Sequence, residues 1–409
     1  MSDCEFTGFD VETIADAVRQ PPLDDLWADA RARRRRTVGV ALALVVAFAS
    51  MAVLPLAAGT RGANWAGPDQ PPAIQDRATQ LFMTGPDSGV GVESRICSIR
   101  FTHTEDGGRS WTDYDAARYR ATSCRLNVSG NEEASLEFAV LGQRSYLVRD
   151  GDRSRLSTDY GRTWRDAEQS MVTVSAFPAK ARPVFCQQGC SALREPVAVD
   201  PATGTVYRLT GEPPSPYPPF SIYPSLDGTI WVTYWPGPPN VMMVARSVDR
   251  GATWNTWRPA VGTDVIAVTG VGEREAYLLI APTPPAGAMA ASGPARLLRT
   301  TDGGRTWADV GTDLPKSAEN RSLVVGSDGS LMVAQSGNMT VPNVSSLHVS
   351  RDGGRHFATA REYDRLDGAV GGAPGFAWLY GRDDMSVLGA DHVQLTTDGT
   401  TWTRFWLPD

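Results

Sequence analysis

One short pattern occurs six times in this chain and constrains its fold more than any other feature. The pattern is Ser or Thr, any residue, Asp, a short link containing Gly, and then Ser, Thr or His followed by an aromatic residue. We number these repeated turns one to six in chain order, and they occupy residues 104–111, 157–164, 247–254, 300–307, 350–357 and 396–402. A recurring segment of this kind indicates an architecture built from similar structural units.

Each copy has the composition of a tight hairpin between two strands. Asp, Ser and Thr side chains can accept hydrogen bonds from nearby backbone N–H groups, and Gly permits the positive φ that a sharp reversal needs. The terminal aromatic residue begins the next strand and offers a large apolar surface for packing. The predicted structural residues of the repeat are Asp106, Asp159, Asp249, Asp302, Asp352 and Asp398 with Trp111, Trp164, Trp254, Trp307, Phe357 and Trp402.

These segments resemble the Asp-box, or BNR repeat, found in sialidases, sortilin-like receptors, photosystem assembly factors and many secreted bacterial proteins. Five of the six copies keep an eight-residue spacing and five keep Trp, while the fifth copy carries His356 and Phe357. In those families the box is the turn between the third and fourth strands of a β-propeller blade, on the outer rim and away from the ligand-binding funnel. The resemblance therefore implies an all-β propeller whose box aspartates are structural and are not a catalytic carboxylate pair.

The spacing of the repeat predicts the number of blades. Successive repeat aspartates are separated by 53, 90, 53, 50 and 46 residues, and a four-stranded blade takes about 40 to 50. Residues 200–207, within the long gap, could be a decayed turn of the same kind, which predicts seven blades. Six blades remain the alternative if the gap is one blade with an insertion. The segment 402–406 is expected to form the outer strand of the last blade.

The first part of the chain differs from the rest. Residues 37–58 form an uncharged run of 22 residues, long enough to span a bilayer, and five arginines stand directly before it. The positive-inside rule then predicts a cytoplasmic tail (1–36), a transmembrane helix (37–58), a linker (59–72) and an extracytoplasmic propeller (73–409). A signal peptide cleaved after Ala58 is the alternative. Basic residues are almost all Arg, which is typical of a high-GC, actinobacterial genome.

The net charge of the chain bears on which partners it can bind. Residues 1–36 contain eight acidic residues and six arginines and have a net charge of −2, so the remaining chain carries −5 of the total net charge of −7. An acidic ectodomain argues against nucleic acid as a partner. The membrane and an extracellular protein or glycan are therefore the expected partners.

Four of the five cysteines lie in the predicted extracytoplasmic part, where disulfides form. Four cysteines allow three pairings. We expect Cys97–Cys124 and Cys186–Cys190, because the members of each pair are close in sequence. The four histidines show no ligand spacing, so no metal site and no cofactor is predicted.

The Asp-box resemblance raises the hypothesis of sialidase activity. That reaction needs three arginines to hold the substrate carboxylate, a Tyr nucleophile polarised by a Glu, and an Asp as acid and base. Arginine suits this task because its planar guanidinium binds a carboxylate with two hydrogen bonds. The family signature Arg-Ile-Pro is met only by Arg95 and Ile96, since Cys97 replaces Pro. Arg95 is expected on the strand that feeds the first hairpin, not on an innermost strand. The Tyr and Glu cannot be picked out.

Residues 211–239 concentrate aromatic residues and prolines. Rigid Pro-rich segments lower the entropy cost of binding, and Tyr and Trp are common anchors. The candidate ligand-binding residues are Tyr217, Phe220, Tyr223 and Trp235, whereas Trp231 and Tyr234 are expected to pack between blades. The sequence thus predicts a non-enzymatic protein- or glycan-binding propeller, with an exo-sialidase-like glycoside hydrolase as the alternative and a transmembrane sensor as a third hypothesis.

Overall fold

A computed structural model describes residues 79–408, except 113, 115–116, 123, 127–131, 134–135, 188–191, 212, 238–240, 284–294, 315–320, 336–343, 365–370 and 382–389. The predicted tail (1–36), transmembrane helix (37–58) and linker (59–72) lie outside these residues. Among the residues that are described, none belongs to a helix with the length and apolar character needed to cross a membrane.

The described residues form seven four-stranded sheets and one two-stranded ribbon. The first sheet contains β1 (Thr79–Met83), β2 (Gly89–Arg95), β3 (Ser98–Thr104) and β4 (Arg118–Arg120), and the ribbon contains β5 (Arg125–Leu126) and β6 (Glu132–Glu133). The second sheet contains β7 (Leu136–Gly142), β8 (Ser145–Asp150), β9 (Arg153–Ser157) and β10 (Arg165–Asp166), after which comes the short helix α1 (Ala167–Ser170). The third contains β11 (Val172–Val174), β12 (Arg182–Pro183), β13 (Val197–Val199) and β14 (Val206–Leu209). The fourth contains β15 (Pro219–Pro224), β16 (Ile230–Gly237), β17 (Val241–Ser247) and β18 (Asn255–Trp257), and the fifth β19 (Thr263–Gly270), β20 (Ala276–Pro282), β21 (Arg296–Thr300) and β22 (Ala308–Asp309). The sixth contains β23 (Arg321–Val325), β24 (Leu331–Gln335), β25 (Val344–Ser350) and β26 (Ala358–Asp364), and the seventh β27 (Gly371–Ala373), β28 (Phe376–Gly381), β29 (His392–Thr396) and β30 (Thr403–Trp406).

The sheets close into a ring because the last packs on the first. Leu81 of β1 shares a buried apolar cluster with Trp378 of β28. The Trp406 N–H donates to the Gly107 carbonyl at 3.0 Å across the same junction. The chain is therefore a seven-bladed β-propeller, the architecture that closes a sheet series without long exposed edges. The seven-blade prediction is confirmed and the six-blade alternative is wrong. The predicted outer strand of the last blade is β30.

The repeated turns hold themselves together through their own side chains. In the first turn the Thr104 hydroxyl donates to Asp106 Oδ1 at 2.8 Å and accepts the Gly108 N–H at 3.1 Å. The same carboxylate accepts the Ser110 N–H at 3.0 Å and the Ser110 hydroxyl at 2.6 Å. These bonds, led by the one from the Ser110 hydroxyl, lower the pKa of Asp106 to about 2. Bonds of this kind recur in the other five turns.

The third sheet departs from the others, and one prediction fails there. Its strand order is β11-β14-β13-β12, and β11 pairs with β14 in parallel. Residues 200–207 were expected to be a decayed copy of the repeated turn between a third and a fourth strand. They instead join β13 to β14, and the Gly204 carbonyl accepts the Ser145 hydroxyl of the second sheet at 2.9 Å. This sheet has no strand after β14 to follow a repeated turn, because β11 fills the outer position from upstream.

The expected Cys97–Cys124 disulfide is present and encloses a sequence separation of 27 residues. Cys186 is also disulfide-bonded, while Cys190 lies outside the described residues.

Candidate functional site

A cavity of about 1190 Å³ lies on the axis of the ring. Its walls come from the inner strands of the first, second, sixth and seventh sheets and from residues 177–187. Small-molecule and peptide sites are usually concavities of about 300–1,000 Å³. The central cavity is therefore large enough to hold a ligand.

The mouth of the cavity lies on the face of the propeller that carries the repeated turns. Turns that join the first and second strands of a blade line it at Thr84, Gln143, Leu226 and Pro374. Arg250 of the third repeated turn lines it as well. The resemblance implies boxes that lie away from the ligand-binding funnel, and the third repeated turn reaches the cavity through Arg250.

A single segment, residues 182–187, runs through the cavity, and we call it the central strand. It pairs with β13 at its start, and Cys186 exchanges backbone hydrogen bonds of 2.9 and 2.6 Å with Ile222 of β15. At its end Gln187 Nε2 donates to the Leu323 carbonyl of β23 at 3.2 Å. Phe185 packs edge-to-face on Tyr223 with ring centroids 5.8 Å apart. The central strand thereby joins the third, fourth and sixth sheets and narrows the axis of the ring.

Two of the three arginines along the described lining are held by backbone carbonyls. Arg144 Nη1 donates to the Ala202 carbonyl at 2.7 Å. Arg250 Nε donates to the Phe177 carbonyl at 2.7 Å, and its Nη2 reaches Ala181. Arg182 is exposed, and within the described part of the chain its guanidinium makes no hydrogen bond or ion pair. Among the described residues of the lining, Arg182 is thus the arginine whose guanidinium is not fixed by another part of the protein.

The lining differs from the set of residues that a sialidase needs. Tyr380 is the one described tyrosine of the wall, and burial raises its pKa to about 12. Asp227 is the one described carboxylate, and no described lining residue is Glu. Arg95 ends β2, the second strand of its sheet, and forms an ion pair with Glu93 at 2.7 Å. It is not on an innermost strand, as expected, but it also is not on the strand that feeds the hairpin.

The predicted aromatic cluster does not form one surface. Tyr217 is 37% exposed, whereas Tyr223 is 1% exposed and its hydroxyl accepts the Val325 N–H at 3.4 Å. Phe220 is half-buried against the core of the fourth to seventh sheets. Trp235 belongs to β16, and its side chain lies outside the described residues. Of the three candidates with described side chains, only Tyr217 faces solvent.

The alternative interpretation of the same segment is confirmed for its two packing residues. Trp231 is 1% exposed and Tyr234 is fully buried. The two residues are an odd number of positions apart on β16, so they face opposite sides of the sheet, and a neighbouring sheet covers each side.

Sequence reasoning missed two polar residues of the cavity wall, Gln187 and Ser322. Gln187 Oε1 and Ser322 Oγ have no hydrogen-bond partner among the described residues, and both residues are at least nine-tenths buried. Unpaired buried polar atoms lower the stability of a fold. Nothing in the sequence around either residue signals this, because the two are brought together only by the closed ring. The described residues hold no cluster of three or more His, Cys, Asp or Glu suited to a metal ion.

No protein-family model and no curated protein sequence matches this chain. Similar solved structures include a puromycin-hydrolysing peptidase of Mycobacterium tuberculosis, at 16% identity, 81% coverage of this chain, 52% of the peptidase and a TM-score of 0.46. They also include Trypanosoma rangeli sialidase (12% identity, 78% and 51% coverage, TM-score 0.37) and Penicillium chrysogenum α-L-arabinanase (11%, 78% and 87%, TM-score 0.38). The chain spans about half the length of the peptidase. Similarities in this range carry no argument about activity or ligand.

Proposed function

We propose that this chain is a membrane-anchored bacterial Asp-box propeller that acts outside the cytoplasm as a non-enzymatic module and binds a protein or glycan in its central cavity. The observation that carries the proposal is the cavity itself, which is large and includes Arg182, whose guanidinium makes no hydrogen bond or ion pair with the described residues. Preformed concavities with a few polar groups are the usual ligand sites of proteins.

Binding is favoured over glycoside hydrolysis by the chemistry of the wall. A retaining sialidase needs several free arginines beside a Tyr–Glu pair, whereas Arg144 and Arg250 donate to backbone carbonyls. Tyr380 has a raised pKa and no described Glu beside it in the wall to accept its proton. A hydroxyl with a pKa near 12 is a weak nucleophile unless a base activates it.

A direct test of the binding proposal compares two exposed apolar residues. Leu226 is 70% exposed at the mouth of the cavity, and Val261 is 76% exposed away from it. Full-length protein in nanodiscs is applied to a glycan array and a peptide array. Leu226→Asp should abolish the hits that Val261→Asp keeps. Hits that survive Leu226→Asp unchanged would place binding elsewhere and contradict the proposal.

The enzymatic alternative is tested with the same preparation and a fluorogenic sialoside. We expect no turnover above a heat-denatured control. Turnover that Tyr380→Phe abolishes would refute the non-enzymatic proposal.

The membrane proposal rests on the uncharged run at 37–58 and the arginines before it. Alkaline phosphatase fused after residue 409 should be active in bacteria, since it folds only outside the cytoplasm. Deletion of residues 37–58 should abolish that activity. An active fusion without the segment would contradict the proposed anchor.

A further inference from the structure

The charges around the central cavity oppose the charge of the molecule. The charged residues of its described lining are three arginines and one acid: Arg144, Arg182, Arg250 and Asp227. The chain beyond residue 36 carries a net charge of −5. A positive concavity within an acidic protein selects for an anionic group on the ligand.

The position of Arg182 makes it the residue that would bind an anionic group of the ligand. It starts the central strand, where it pairs with Val199 of β13, which also lines the cavity. Arg144 and Arg250 each donate from two guanidinium nitrogens to backbone carbonyls, so these side chains are fixed in place while they add positive potential. A free guanidinium in this position can bind a carboxylate with two parallel hydrogen bonds.

The remaining wall specifies the body of the ligand. Phe177, Phe185 and Leu193 line the cavity, and Leu226 extends the apolar surface to the rim. Apolar side chains of a ligand would be removed from water on contacting these residues.

A carboxylate and apolar side chains occur together in protein segments, either where an acidic residue stands among apolar residues or at a carboxyl terminus.

We propose that the central cavity binds a protein segment that carries a carboxylate beside apolar side chains, with Arg182 pairing the carboxylate. This inference rests on the proposed binding function and names the class of its ligand. The carboxylate has two possible sources, an acidic side chain within the segment or the free carboxyl terminus of a protein.

The test uses full-length protein in nanodiscs and immobilised leucine-rich decapeptides in three forms. The first form has an internal Glu and an amidated terminus, the second an internal Gln and a free terminus, and the third an internal Gln and an amidated terminus. We expect the third form to bind about tenfold more weakly than one of the first two, as for a lost charge-assisted hydrogen bond. Whichever form binds best identifies the source of the carboxylate.

Variants assign the effect to the cavity. Arg182→Gln should weaken the best form about tenfold and bring it level with the third form. The matched control is Arg153→Gln, at an exposed arginine on β9 outside the cavity. The Tm of each variant should equal that of the parent.

Outcomes separate this inference from the proposed function. Equal binding of the three forms, or an Arg182→Gln variant that still discriminates between them, overturns the inference. Binding only to neutral glycans, lost in Leu226→Asp, also overturns it and leaves the proposed function intact. Sialoside turnover that depends on Tyr380 removes the proposed function itself.

Discussion

Replacing Arg250 by Ala is expected to loosen the segment that leads into the central strand. The guanidinium donates to the carbonyls of Phe177 at 2.7 Å, Pro178 at 2.5 Å and Ala181 at 3.1 Å. The Phe177 N–H donates to the Arg250 carbonyl at 2.8 Å, and this backbone bond does not depend on the side chain. The substitution therefore removes three side-chain bonds and leaves one backbone bond.

The magnitude follows from those three bonds. A hydrogen bond to a charged group contributes about 1.5–3 kcal/mol to stability. Since the carbonyls border the cavity, water replaces part of the lost bonding, and we expect a loss of about 3 kcal/mol in the free energy of unfolding. At about 2 °C per kcal/mol for a large domain, the Tm should fall by about 6 °C.

A second variant separates the side chain from the backbone. Arg250 has φ of 61°, in the left-handed region that costs a non-glycine residue about 1 kcal/mol. Arg250→Gly loses the same three bonds but adopts this φ freely, so it should be about 1 kcal/mol more stable than Arg250→Ala. The measurements are thermal unfolding by circular dichroism and hydrogen exchange over residues 177–187. An Ala variant with the parent Tm and unchanged exchange there would refute the reasoning.

Three further perturbations test other parts of the ring. Thr300→Val removes a buried hydroxyl that bridges the aspartate and a glycine of the fourth repeated turn, and it should cost about 1–3 kcal/mol in urea unfolding; a cost near zero would contradict the role of that hydroxyl. In the fifth turn the hydrogen bond to Asp352 raises the pKa of His356 above 6.5, while bonds from His356 lower that of Asp352 below 3.8. The contribution of His356 to the free energy of unfolding is complete below pH 6.5 and is lost as pH rises through its raised pKa, and the contribution of Asp352 is lost as pH falls below 3.8. The Tm advantage of the parent over His356→Thr should therefore decrease from pH 6 to 9. A difference that stays constant would exclude the ion pair. Replacing Cys97 and Cys124 by Ser should cost about 3 kcal/mol for a loop of this length, measured by urea unfolding against the oxidised parent, and equal stability would show that the bridge adds nothing.

The repeated turns could be predicted because their chemistry is local. The residues that make each turn lie within eight positions of one another, so their spacing determines hydrogen bonds such as those of Asp106. The spacing of the turns then predicted the number of blades, because each sheet needs about the same length of chain and the 90-residue gap is nearly two such lengths. The fold was therefore accessible from the sequence.

The third sheet was beyond such reasoning because its pairing is not local. Val172 of β11 pairs with Tyr207 of β14, and the intervening chain includes the central strand. A turn such as 200–205 has the composition of many hairpins, and composition does not tell which two strands of a blade it joins.

The candidate site was predicted least well. Arg182 and Gln187 belong to a segment with no repeat, no alternation and no motif, and only ring closure places that segment on the axis. The aromatic residues at 217–235 were conspicuous in sequence, but Tyr223 is buried because neighbouring sheets cover both faces of β15. The segment with the most unusual composition supplied packing residues, whereas the residues that can contact a ligand lie in a segment of ordinary composition.

The junction between the seventh and first sheets has a consequence for engineering. No strand is shared across it: β27 to β30 come from one end of the described chain and β1 to β4 from the other. It is held by packing and by contacts such as that of Trp406 with Gly107, as the other junctions are. The junction between the seventh and first sheets is accordingly no different in kind from the other junctions. A circular permutant that joins residue 408 to residue 79 by a flexible linker, with new termini at the exposed Val261, should therefore keep the same seven-bladed architecture.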